Sequence, residues 1–95
     1  MDINQAIEET LDGIETGHVF DSHFVVNELI EKHSDEYLRF AAQYAGGDAP
    51  TLTTHQMIGH KIKGFNGASV QRQERNSWSL NIHHKPGKCA LWLKL

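Results

Sequence analysis

Residues suited to holding an anionic or hydrogen-bonding ligand concentrate between positions 54 and 88. The run Thr54-His55-Gln56-Met57-Ile58-Gly59-His60-Lys61-Ile62-Lys63 mixes apolar and polar residues at helical spacing. With about 100° of rotation per residue, Ile58, Ile62 and Phe65 share one side of a helix over 54–63 and face a core. Gln56, His60 and Lys63 then gather on the opposite side with Gly59 beside them, and no acid joins them. Gln can pair with an adenine edge, and Lys61 or Lys63 can meet guanine or phosphate. Gly59 costs a helix about 1 kcal/mol relative to Ala, which points to close backbone approach, by a ligand or by a packed helix.

A second basic cluster lies at His83-His84-Lys85-Pro86-Gly87-Lys88, two histidines and two lysines in six residues. Pro-Gly is the strongest local turn marker there, and compact lysine charges suit phosphate contact of no particular sequence. Arg72 and Arg75 extend the basic strip. The candidate contact set is therefore Thr54, His55, Gln56, His60, Lys61, Lys63, Arg72, Arg75, His84, Lys85 and Lys88.

Other chemistry is poorly supplied. The chain has seven histidines. His55 and His60 lie five apart, about 140° around a helix, and cannot share a metal as an i, i+4 pair would. His83, His84 and Cys89 flank a turn, but adjacent strand residues point to opposite faces. His18, His23 and His33 sit by helix ends, where capping or packing is the default. The sequence contains no Ser/His/Asp motif, paired carboxylates or glycine-rich phosphate loop, and Cys89 in an apolar strand reads as a buried, inert thiol. No metal, cofactor or catalytic activity is expected.

These residues need a scaffold, and 95 residues suit a single domain. The content is 39% hydrophobic and 22% charged, ordinary for a folded chain. No apolar run approaches the roughly 20 residues of a membrane helix, and the opening MDINQAIEET lacks the basic and apolar parts of a signal peptide. One cysteine fits a reducing, cytoplasmic setting. The net charge is −3, but residues 1–48 hold eleven acids and two bases, whereas 49–95 hold one acid and seven bases. Such asymmetry permits a basic face on an acidic protein.

Periodicity supplies the elements. Asp2 can cap a helix over 2–16 with Ile3, Ile7, Leu11 and Ile14 inside, ended by Gly17. His18-Val19-Phe20 is a short strand segment. Asp21-Ser22 caps a second helical region, with Phe24, Val25, Val26, Leu29 and Ile30 on a broad buried face. Tyr37, Leu38, Ala41 and Tyr44 form a further stripe to about Ala45. Ser34 is a cap or a kink, so 22–45 is one bent helix or two. Gly46-Gly47-Asp48-Ala49-Pro50 is a loop. Thr53 and Gln56 fit a capping box that opens the 54–63 helix, and Gly64 stops it. Trp78, Leu80 and Ile82 then alternate with polar residues as a strand with one buried face. Cys89 to Leu95 returns beside it, Trp78 and Trp92 facing one another or the helices.

The order helix, short strand, helices, short helix, hairpin resembles the winged helix-turn-helix superfamily over nearly the whole chain. The matching stretches are Thr53 to Lys63 and the Trp78–Trp92 hairpin; the long region between 22 and 53 departs from the superfamily's tighter turn. The resemblance implies an α+β fold with N-terminal helices packed on a C-terminal β-hairpin. It further implies duplex-DNA binding by a small transcriptional regulator or mobile-element protein, as a homodimer, with helix 54–63 in the groove and tip 83–88 as the wing. The same fold also serves protein–protein interaction, in which the acidic N-terminal helices would meet a partner.

Overall fold

Asp2 caps the first helix as its position predicts. Its Oδ1 accepts from the Gln5 backbone N–H at 2.9 Å, and the Gln5 side chain accepts from the Asp2 N–H at 2.9 Å. This helix, α1 (Ile3–Asp12), buries Ile3, Ala6, Ile7 and Leu11. It stops at Gly13 rather than Gly17 because the chain must leave it to reach the sheet. Gly17, at φ +90°, makes that turn and donates its N–H to the Lys94 carbonyl at 2.8 Å. The Lys94 ammonium donates to the carbonyls of Leu11 and Ile14 and so closes the open end of α1.

The computed structural model describes all residues from Met1 to Leu95. After α1 come β1 (Val19–Asp21), α2 (Ser22–Lys32), α3 (Ser34–Ala42), α4 (Pro50–Lys63), β2 (Val70–Leu80) and β3 (Pro86–Lys94). The strands form one antiparallel sheet in the order β1-β3-β2. The chain is α+β, its helices packed on a C-terminal hairpin. No helix is long and apolar enough to cross a membrane.

Residues 22–45 form two helices, broken where His33 leaves helical geometry at φ −133°, ψ 48°. Ser34 does not cap α3; its hydroxyl donates back to the Ile30 carbonyl. The fourth helix starts a turn earlier than the Thr53–Gln56 pattern predicts, with Pro50 at its first position, where a missing N–H costs nothing. The Thr53 N–H is already bonded to the Ala49 carbonyl at 3.0 Å, so no capping box forms there.

One core of fourteen buried apolar residues joins every helix to the sheet. Tyr37 and Phe40 enter it from α3, Ile58 and Ile62 from α4, and Phe20, Val70 and Trp92 from the strands. Phe24 and Leu38, expected inside, are exposed. Their stripes are narrower than the pattern suggested: Val25, Val26 and Leu29 suffice for α2, and Phe40 takes the α3 place given to Leu38.

The hairpin departs most from expectation. Three residues of β2, Gln73 to Arg75, face only Leu91 of β3, forming a bulge. The Arg72 guanidinium closes it by donating to the carbonyls of Gln73, Arg75 and Leu91 and to the Asn76 side chain. Beyond the bulge Trp78 and Leu80 are 65% and 55% exposed, and Ser77 and Ser79 turn toward Asp21 and His23. The reason is reach. β1 pairs only with Leu91 to Leu93, so the outer hairpin is a two-stranded ribbon with no apolar layer for Trp78 to cover.

The two tryptophans therefore differ sharply in worth. Trp92→Ala should cost about 3–5 kcal/mol and Trp78→Ala no more than about 0.5 kcal/mol, read as urea unfolding free energies. Equal losses would contradict this packing.

Candidate nucleic-acid interface

Burial of Ile58 and Ile62 turns the opposite side of α4 outward, so Gln56, His60 and Lys63 are exposed. They form one wall of an open groove of about 570 Å³. Ser22, His23 and Val26 of α2 and Lys88, Cys89 and Ala90 of β3 complete it. No carboxylate is among the lining residues, and the Asp21 carboxylate lies just behind them, within 4.8 Å of the His23 and Cys89 donor atoms. A smaller recess of about 130 Å³ continues it toward the hairpin tip, between His23, His55, Asn81 and His83.

Gly59 lies on the groove wall, and an added Cβ there would meet nothing within 4 Å. Close packing of a neighbouring helix is thus not its reason. The glycine leaves backbone open to whatever occupies the groove.

Charge follows the sequence asymmetry. The four ion pairs, Glu15–His18, Glu28–Lys32, Glu9–His33 and Glu36–Arg39, all lie within residues 9–39. The lysines and arginines of α4 and the hairpin have no carboxylate within ion-pairing distance, so Lys63 and Lys88 face the groove uncompensated.

Of the sequence-predicted contacts, the groove gathers His55, Gln56, His60, Lys63 and Lys88. Several others are held elsewhere. Thr54 is fully buried, its hydroxyl donating to the Pro50 carbonyl at 2.7 Å, and cannot touch a ligand. Lys61 lies over the Phe40 ring, 5.4 Å from its centroid, toward α3. Arg72 is consumed by the bulge and by the Trp92 ring, 5.8 Å away. Arg75 lines a separate cleft with Val19, Gln71 and Leu93. His84 and Lys85 are exposed at the tip.

The tip itself is displaced from 83–88. Pro86 and Gly87 belong to β3, paired with Leu80 and Ser79. The turn is organised by Asn81, whose Oδ1 accepts from the backbone N–H groups of His83 and Lys85 at 2.9 and 3.2 Å. His84 takes the left-handed position at φ +60°. Asn in this role is a recognised alternative to Pro-Gly, and it was the readable signal that the Pro-Gly pair masked.

Sequence reasoning also missed Asp21, His23 and Cys89, which converge from three elements. Asp21 is read correctly as the α2 cap, accepting from the Phe24 N–H at 2.9 Å. Its other oxygen accepts from the Ser77 hydroxyl at 2.7 Å. Burial pushes the Asp21 carboxyl up, yet Ser77, the Phe24 N–H, Ser79 and nearby His23 together outweigh it, and its pKa is lowered. Ser79 Oγ and His23 Nδ1 hydrogen-bond at 2.7 Å. Cys89 is half-buried rather than sealed in the strand, and burial raises its thiol pKa.

His55 is a wall residue with a structural duty. Its Nε2 hydrogen-bonds the Tyr37 hydroxyl at 2.8 Å. Burial lowers its pKa, and neighbouring His83 and His23 lower it further.

Comparison with known proteins gives no match, whether to a family model, to a curated protein or to a solved structure.

Two outcomes follow from this geometry. The unfolded chain protonates His55 at higher pH than the folded one, so stability is full above the ordinary histidine pKa of about 6.5 and falls as pH drops through it. His55→Asn should reduce that slope in pH-dependent unfolding; an unchanged slope would free His55 of this role. Gly59→Ala should stabilise the domain by up to about 1 kcal/mol, because the new methyl meets only open space. Destabilisation would show that the groove is not open there.

Proposed function

We propose that this domain binds duplex DNA in the manner of a winged helix. The observation that carries the reading is the open groove, which joins Gln56, His60 and Lys63 of α4 to Lys88 of β3 and is lined by no acid. The α4 face enters the major groove, where Gln56 offers both hydrogen-bonding groups of its amide to a base edge and Lys63 meets guanine or phosphate. Lys85 and Lys88 of the hairpin hold the backbone on one side. The exposed backbone at Gly59 lets the duplex approach closely. The order of the elements supports the winged-helix resemblance, with α3 and the 43–49 loop as an enlargement before α4. The setting is a small transcriptional regulator or mobile-element protein of the cytoplasm, acting as a homodimer on two half-sites.

A second reading rests on a different observation. Trp78 and Leu80 project from β2, a sheet edge, as an exposed apolar pair. That surface favours a protein partner, with or without DNA.

Fluorescence anisotropy of a labelled random duplex, titrated at two salt concentrations, tests the first reading. With Lys63, Lys85 and Lys88 engaged, the logarithm of affinity should fall with that of salt at a slope of roughly −3. Lys63→Glu combined with Lys88→Glu should abolish binding without moving the unfolding midpoint. Gly59→Ala, although more stable, should bind more weakly. Unchanged binding by the double variant would remove the groove from this role.

A further inference from the structure

Three potential metal donors that lie far apart in sequence meet where β1, α2 and the hairpin join. The Asp21 carboxylate, a ring nitrogen of His23 and the Cys89 thiol have their ligating atoms within 4.8 Å of one another. The three residues are neither sealed from solvent nor fully exposed. Asp21 ends β1, His23 is the second residue of α2, and Cys89 lies on β3 beside Ser77.

We propose that Asp21, His23 and Cys89 form a binding site for a thiophilic divalent cation of the zinc class. A mixed oxygen, nitrogen and sulfur set suits zinc, and a thiolate discriminates against magnesium and calcium. Three protein donors leave one tetrahedral position to solvent or to a ligand in the adjoining groove. Zinc–donor lengths of about 2.0–2.3 Å put tetrahedral donors about 3.3–3.8 Å apart, so the donors must close by no more than about 1.5 Å.

The surroundings already orient the donors. Ser77 holds the carboxylate at 2.7 Å, and Ser79 holds the His23 ring at 2.7 Å. Outer hydrogen bonds of this kind fix the direction of metal ligands and add to affinity. Binding exchanges the Cys89 thiol proton for the ion, and the proton leaves to solvent. The ion would tie the β1–α2 junction to β3 and stabilise the folded state by an amount that grows with the logarithm of free metal over its Kd. The donors come from β1, α2 and β3 rather than from the α4 face, although His23 and Cys89 also line the groove assigned to the duplex.

Cobalt(II) is the probe, because its complexes report donor type by absorption. Titration of the purified chain with cobalt should saturate at about one equivalent and give the near-ultraviolet charge-transfer band of a thiolate–cobalt bond. Zinc should displace the cobalt and raise the melting temperature. Cys89→Ser should abolish the charge-transfer band, and His23→Gln should weaken binding by more than the roughly 10–100-fold that loss of an outer-shell partner costs, both variants keeping the wild-type circular dichroism. Should Cys89→Ser unfold, alkylation settles the matter: bound zinc should protect Cys89 of the wild-type chain from iodoacetamide. Absence of saturable binding would overturn the proposal, as would a spectrum lacking thiolate character or zinc that leaves Cys89 unprotected.

Discussion

Trp92 occupies the place where helices and sheet must meet. It lies on β3, the strand shared by both neighbours, and is fully buried. Its indole N–H donates to the Ser22 hydroxyl at 3.2 Å, at the first turn of α2. The Arg72 guanidinium lies against its ring, and Phe20 of β1 pairs beside it. Burying an indole on this scale demands a polar partner for its nitrogen, and Ser22 provides one in the first turn of a helix. The position of α2, and with it one wall of the groove, follows from that requirement.

The constraint spreads outward from there. Lys94, two residues beyond Trp92, closes the end of α1, which fixes the acidic helix to the far end of β3. In the other direction, the strand runs past β1 and keeps only β2 as a partner, so the hairpin becomes a ribbon whose polar Ser77 and Ser79 bind Asp21 and His23. The same strand thus carries an apolar anchor, a basic groove residue in Lys88 and a donor in Cys89. A core of fourteen residues leaves little redundancy, so one strand holds the core at Trp92 and supplies the surface at Lys88.

Much of this was legible in the residues. Asp2 and Asp21 announce helix starts because a short acceptor before an apolar stripe has few other uses. The inward stripe of α4 at Ile58 and Ile62, and hence its outward polar face, followed from spacing alone. What failed did so for physical reasons. Alternation at Trp78 and Leu80 marks a strand but not what lies opposite it, and opposite this ribbon there is no apolar layer; Ile82, just past the strand, does pack against the core. Thr53 and Gln56 carry a capping pattern that Pro50 pre-empts one turn earlier. Arg72 and Lys61 look like free cations in sequence, but a bulge and a ring claim them. The convergence of Asp21, His23 and Cys89 was invisible because it is created by packing across 68 positions, from residue 21 to residue 89.

On the proposed reading, a polyanion rests in the groove between α4 and the hairpin. A two-dimensional amide spectrum recorded during titration with a short duplex tests this most directly. Perturbed resonances should concentrate at residues 55–63 and 81–89, with α1 unmoved. Perturbations centred on Trp78 and Leu80 or on the acidic α1, or no perturbation at low salt, would contradict it.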